Sequence, residues 1–155
     1  MAQLWLVSAS GLSLPECQTN WGKSVIRYED KKALSAEDVS RVFQNSGIRR
    51  PFQDLERIQR MLENSDIVLS AWDGDKMVGI ARAITDFSYC CYLSDLAVDR
   101  EYQKLGIGKA IVDLLRQKLG EEVSLVLLSS PESVDFYSKI GFTGTDKCYV
   151  IGRAR

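Results

Sequence analysis

The chain has 155 residues, enough for one domain with a sizeable core, and an ordinary apolar content of 45%. A formal net charge of −1, with no apolar run near the roughly 20 residues that span a bilayer, gives no support for a nucleic-acid or membrane partner. The chain contains no histidine. That excludes Ser-His-Asp and Cys-His sites, the common histidine-bearing zinc sites and a histidine base, and no metal is expected.

Residues 1–22 read as an apolar arm in which Glu16 is the only charged side chain. A secretory signal would begin with basic residues and carry a longer apolar stretch. Leu4, Trp5, Leu6 and Val7 are expected to pack on the domain or to add a strand to a partner copy, the second of which would make a homodimer. A non-native extension is the alternative. The four cysteines, Cys17, Cys90, Cys91 and Cys148, form no C-x-x-C pair. They read as reduced thiols in a cytoplasmic protein.

Residues 23–155 read as one domain. Ser24–Tyr28 is the first expected strand. Ser35-Ala36-Glu37-Asp38 is a helix start with an N-cap and acidic first turn, and the helix runs to about Asn45 and stops at Gly47. Pro51 is expected to open a second helix, with Leu55, Ile58, Met61 and Leu62 on one face. Ile67–Trp72, the turn Asp73-Gly74-Asp75-Lys76 and Met77–Thr85 form a hairpin, followed by a strand over Tyr89–Val98. Gly106–Leu119 is a helix that buries Ile107, Ile111, Leu114 and Leu115. Val123–Leu128 is a strand of the fully buried type, and Pro131–Lys139 a short helix ending at Gly141. Thr143–Ile151 supplies one or two final strands. The order β-α-α-β-β-β-α-β-α-β joins an antiparallel front half to a β-α-β unit, giving a mixed α/β sheet flanked by helices.

The chemistry concentrates where the strand ending Asp95-Leu96-Ala97-Val98 gives way to Gln103-Lys104-Leu105-Gly106-Ile107-Gly108-Lys109 and a helix. Glycines bring backbone N–H groups close to a ligand, and a helix start favours an anion, so the turn is a candidate phosphate cradle. The P-loop pattern G-x-x-x-x-G-K-[ST] is absent. A dinucleotide fingerprint would need a third glycine where Ile111 stands, and would come earlier in the chain.

A second motif follows about thirty residues later: Phe136-Tyr137-Ser138-Lys139-Ile140-Gly141-Phe142. The pair resembles the GNAT superfamily of acetyl-CoA-dependent N-acetyltransferases, which carries [QR]-x-x-G-x-[GA] between a strand and a helix and F-Y-x-x-x-G-F on a later helix. Stretches such as Val78-Gly79-Ile80-Ala81-Arg82-Ala83 and Ser94-Asp95-Leu96-Ala97-Val98-Asp99 further resemble the plastid and cyanobacterial amine acetyltransferases of that superfamily. The resemblance implies a mostly antiparallel GNAT sheet and acetyl-CoA as cosubstrate. It implies that the backbone of Leu96, Ala97 and Val98 pairs with the pantetheine arm and supplies an oxyanion donor. Gln103, Lys104, Leu105, Gly106, Ile107 and Gly108 would then hold the pyrophosphate through main-chain N–H groups, with Lys109 adding charge. Ser129, Ser130 and Lys139 are further cofactor candidates; Ser130 stands where many members have Asn.

By the same resemblance, Tyr137 is the proton donor to the departing sulfur, a role its ordinary pKa near 10 suits. Asp95 is the candidate base acting through water, with a strand-end hydrogen bond or a salt bridge as its other reading. Tyr89, Tyr92, Ser94 and Asp86 are candidates for the amine pocket. Arg49 and Arg50 could meet an acidic substrate or the cofactor's 3′-phosphate. The expected function is direct acetyl transfer to a primary amine of a small molecule. Acetylation of protein lysines or N-termini, and a catalytically silent acetyl-CoA-binding module, are the alternatives.

Overall fold

The computed structural model describes residues 25–30 and 33–154. The apolar arm 1–22, Cys17 and the dimer contact expected of the arm lie outside the described residues.

Five strands form one sheet in the order β1 (Ile26–Asp30), β2 (Ile67–Asp73), β3 (Lys76–Thr85), β4 (Cys90–Val98), β5 (Ser124–Val126). The first four are antiparallel neighbours, and β5 joins β4 in parallel after the crossover helix α3 (Ile107–Leu119). This is the mixed α/β sheet expected from the chain order, mostly antiparallel as the family resemblance implies.

Each face of the sheet buries its own apolar cluster. Helices α1 (Ala36–Ser46) and α2 (Leu55–Glu63) cover one face, packing Val39, Val42, Phe43, Ile58 and Leu62 on Ile80 and Ala97. Helix α3 covers the other, packing Ile107, Ile111 and Leu115 on Ala81, Ala83, Cys91 and Leu93. The Ser35 hydroxyl caps α1 by accepting from Asp38 N, and Gly47 ends it in the left-handed region at φ 81°.

Several boundaries differ from expectation for local reasons. Strand β1 runs from Ile26 to Asp30 rather than over Ser24–Tyr28. Pro51 does not open α2. It sits in a turn closed by Phe52 N to Arg50 O and Asp54 N to Pro51 O, and Asp54 becomes the N-cap by accepting from Arg57 N. Helix α3 begins at Ile107, with Gly106 as its cap. Residues 131–133 form one 3₁₀ turn before a short α4 (Val134–Lys139).

Strand β5 keeps only three residues, and residues 143–151 form no strand. Such a short β5 offers few ladder groups to a further neighbour. Tyr149, Val150 and Ile151 are therefore left in solvent. A hollow of about 870 Å³, touched by Arg116, Leu119, Val123 and Phe142, lies along this open edge. No described helix is long and apolar enough to cross a membrane.

Candidate active site

A cleft of about 570 Å³ opens between β4, the loop after α1 and the start of α4. It touches Arg50, Ser94, Leu96, Gln103, Ser130 and Tyr137, and so joins distant stretches of sequence.

Its floor is an unpaired strand edge. Strand β4 pairs with β5 only through Cys90, Cys91 and Tyr92, and β5 ends at Val126. Beyond Tyr92 the β5-side edge of β4 has no strand neighbour among the described residues, so the backbone of Leu96 and Ala97 is open to an extended amide-bearing ligand. Val98 O is already engaged: the Gln103 side chain donates to it at 2.9 Å and reaches Ser46 O at 3.3 Å. Gln103 thus ties the glycine turn to the end of β4 and to α1.

That turn is shaped by two left-handed residues, Lys104 at φ 65° and Gly106 at φ 82°. Among the described residues no side chain caps α3, so the first amides of this 13-residue helix keep their donors for a ligand. Ile107 is buried in the core and Leu105 packs against it, which leaves their amides rather than their side chains for binding. The Lys109 ammonium pairs with Asp113, one turn further along α3.

Tyr137 is set by the aromatic motif around it. Gly141, at φ 96°, turns the chain so that Phe142 N reaches Tyr137 O at 3.0 Å. Phe142 and Phe136 then flank the Tyr137 ring edge-on, with centroids 5.5 and 5.1 Å away. Burial pushes the Tyr137 hydroxyl above its ordinary pKa, partly countered by the positive charge of Arg50. The phenol therefore holds its proton at neutral pH.

Asp95 occupies a different position from the water-accessible base of the sequence reading. The residue is 1% exposed, and its carboxylate lies between two guanidinium groups. Arg82 Nε donates to Oδ2 at 2.6 Å, and Arg50 Nε donates to Oδ1. Arg82 is further held by the Ser65 and Ser94 hydroxyls at 3.1 and 2.8 Å. A salt bridge, part of its other reading, is the geometry observed, within β4 rather than at its end. A β-bulge in β4 places Asp95 opposite Arg82 by making Ala83 pair with Leu93 and skip Ser94. Sequence reasoning missed Arg82. Its signal was a charge in the middle of an otherwise small and apolar strand, which demands a buried counter-ion.

The remaining candidates divide. Ser130 lines the cleft and donates or accepts at Ser133 Oγ, 3.1 Å away. The Ser129 hydroxyl is turned to Ser130 O, and Lys139 is exposed at the end of α4. Asp86 is consumed by its own hairpin, where three backbone N–H donors from Ser88, Tyr89 and Cys90 hold its pKa down to about 2. Burial pushes the Cys91 thiol up to about 11, which makes it a poor nucleophile at neutral pH. Among the described residues no cluster of His, Cys, Asp or Glu could hold a metal ion.

Residues 27–150 match the family described as acetyltransferase (GNAT) domain. The chain is 34% identical over 101 residues to an uncharacterized N-acetyltransferase ycf52 of Pyropia yezoensis, covering 61% of this chain and 56% of that protein. It is 32% identical over 115 residues to a chloroplastic serotonin N-acetyltransferase 2 of rice, Oryza sativa subsp. japonica, covering 70% of this chain and 56% of that one. It spans a little over half the length of these curated relatives. A probable acetyltransferase from Staphylococcus aureus superposes with a TM-score of 0.72 at 21% identity, over 83% of this chain and all of that one. An open β4 edge, an uncapped α3 and a tyrosine-bearing α4 stand within a sequence matched over most of its length, and the chain belongs to the GNAT acetyltransferase family.

Proposed function

We propose that the chain is an acetyl-CoA-dependent N-acetyltransferase that acetylates a primary amine of a small molecule by direct attack within a ternary complex. The observation that carries this reading is the convergence of the open edge of β4, the uncapped start of α3 and the protonated Tyr137 phenol around one region. The donor set fits the cosubstrate: an anion suits the helix amides and an extended diamide suits a free strand edge.

Acetyl-CoA, when bound, supplies an activated thioester. The amides of Ile107, Gly108 and Lys109 hold the pyrophosphate, and the β4 backbone orients the pantetheine arm. A main-chain N–H between Leu96 and Val98 donates to the thioester oxygen as negative charge develops there. The amine nitrogen forms a bond to the acetyl carbon as the carbon–sulfur bond breaks. The amine's proton leaves to water, and Tyr137 gives its own proton to the sulfur and regains one from solvent. Asp95 takes no proton in this scheme; it fixes Arg50 at the edge of the cleft. Reduced thiols suit either a cytoplasmic or a plastid location, the latter being where the rice relative's description puts that enzyme.

The test is a thiol-release screen with acetyl-CoA against arylalkylamines, amino acids, polyamines, aminoglycosides and lysine peptides. Turnover of a small amine with intersecting double-reciprocal lines is expected. Parallel lines would overturn direct transfer, turnover of peptides alone would make this a protein acetyltransferase, and acetyl-CoA binding without turnover would leave a silent module.

A further inference from the structure

The cluster Arg50–Asp95–Arg82 is out of charge balance. One carboxylate stands between two guanidinium groups, and the side chains of Arg50, Asp95 and Arg82 are 27%, 0% and 10% exposed. One formal positive charge is thus left over within the cluster. The excess falls on Arg50. Arg82 spends its donors inward, on Asp95, Ser65 and Ser94. Arg50 spends three N–H groups on Asp95, Ser94 O and Arg49 O. Its other two have no protein acceptor among the described residues, and Arg50 lines the cleft.

Position decides which anion this could be. Arg50 meets β4 at Ser94 and Asp95, whereas the glycine turn is tied to β4 at Val98. Three to four residue steps separate the two points, about 10–13 Å at roughly 3.3 Å per residue. The amide cradle for phosphate is at the far end, so Arg50 belongs to the reacting end beside Tyr137, whose hydroxyl feels its charge. Further along the same face of the sheet, Ile84, Tyr92 and Val126 are direct cross-strand partners and expose an apolar row at 47%, 38% and 50%. Alternation along β3 puts Ile84 on the face of Arg82. A fixed cation therefore adjoins an apolar surface next to the site of acetyl transfer.

We propose that Arg50 is the acceptor-recognition residue, and that the acceptor is an amine carrying a carboxylate close to its amino group and an apolar body. Asp95 is the positioning residue that holds the guanidinium fork in place. This rests on the acetyltransferase reading above. A planar guanidinium with two parallel donors matches a carboxylate bidentately. The same charge repels polycationic acceptors.

The experiment compares kcat/KM for L-phenylalanine, L-phenylalaninamide and phenethylamine in the wild type, R50Q and R50K, with thermal melts of each. The readout is the ratio of phenylalanine to phenylalaninamide. Comparing that ratio between variants at one pH cancels the different basicities of the two amines. The ratio should fall about ten- to a hundredfold in R50Q, the range of a hydrogen bond to a charged group. R50K, which keeps the charge and loses the fork, should fall between. An unchanged ratio, or equal losses on all three amines, overturns carboxylate recognition while leaving acetyl transfer in place. Turnover confined to polyamines or lysine peptides overturns it too. Acetyl-CoA binding without turnover of any amine overturns the reading beneath it.

Discussion

Gly108 of α3 lies against the ring of Phe136 on α4: a Cβ built on Gly108 would stand 3.3 Å from Phe136 Cζ. The second glycine of the turn therefore serves two purposes. It leaves an amide near the helix start and lets the tyrosine-bearing helix come close. The two motifs, about thirty residues apart in sequence, are one packed unit. In G108A the ring must yield by a few tenths of an ångström, and the better helix propensity of alanine, about 1 kcal/mol, offsets the crowding. G108V brings two further methyl groups and should cost about 1–3 kcal/mol by overpacking. We expect G108A to keep a near wild-type KM for acetyl-CoA and G108V to raise it about tenfold or more. Steady-state kinetics with acetyl-CoA varied would check both, and a wild-type KM in G108V would separate the α3–α4 contact from cofactor binding.

Y137F removes the phenol proton and keeps the ring between Phe136 and Phe142. General acid catalysis is worth ~10²–10⁴-fold. The expected outcome is a kcat lower by tens-fold or more, with an unchanged melting temperature and a KM for acetyl-CoA within a few-fold of wild type. Because burial raises the Tyr137 pKa above its ordinary value of 10.0, the wild-type kcat profile should show no alkaline limb from this group below that pH. A fall in kcat around pH 8–9 that disappears in Y137F would contradict the account.

D95N tests two roles that predict different signatures. As a base acting through water, Asp95 would control the acidic limb of the kcat/KM profile and leave stability nearly untouched. As the counter-ion of Arg50 and Arg82, it controls stability. Removing one partner of a buried pair costs about 3–5 kcal/mol. At about 2–4 °C per kcal/mol for a domain of this size, D95N should melt at least about 6 °C lower. The acidic limb should keep its midpoint in whatever activity survives. Calorimetry and a pH–rate profile of the same variant decide between the roles.

Much of this arrangement was legible in the sequence, and the gaps have physical causes. Strands β2 to β4 and helix α3 announced themselves because apolar alternation, a Gly74 turn and a 3.6-residue stripe all agreed. Asp95 did not reveal its partner. Simple alternation from Cys91 and Leu93 would send it to the α3 face, and only the bulge at Ser94 turns it toward Arg82. Pro51 misled because proline suits both the first turn of a helix and a loop turn, and Asp54 three residues on made the better cap. The strand expected over residues 143–151 had the apolar composition of a strand. Strandness there depends on a neighbouring edge that β5 barely provides.

Asp99 predicts the response to acid. Its carboxyl is 3% exposed, and burial alone would raise its pKa. Hydrogen bonds from Asn45, the Glu101 backbone N–H and Lys76 outweigh that and leave it below the ordinary 3.8. A group depressed in the folded state binds its proton more readily in the unfolded chain. Its stabilisation is therefore complete above the unfolded value, about pH 4, and is lost as pH falls through the lower folded value. D99N removes the titration and keeps a similar shape. We expect the wild type to lose stability more steeply than D99N between about pH 4 and pH 2, and D99N to be the less stable protein at pH 7. Urea unfolding of both proteins across that range would measure the two slopes. Parallel slopes would mean that the contacts from Asn45, Glu101 N–H and Lys76 do no more than cancel the burial of the Asp99 carboxylate.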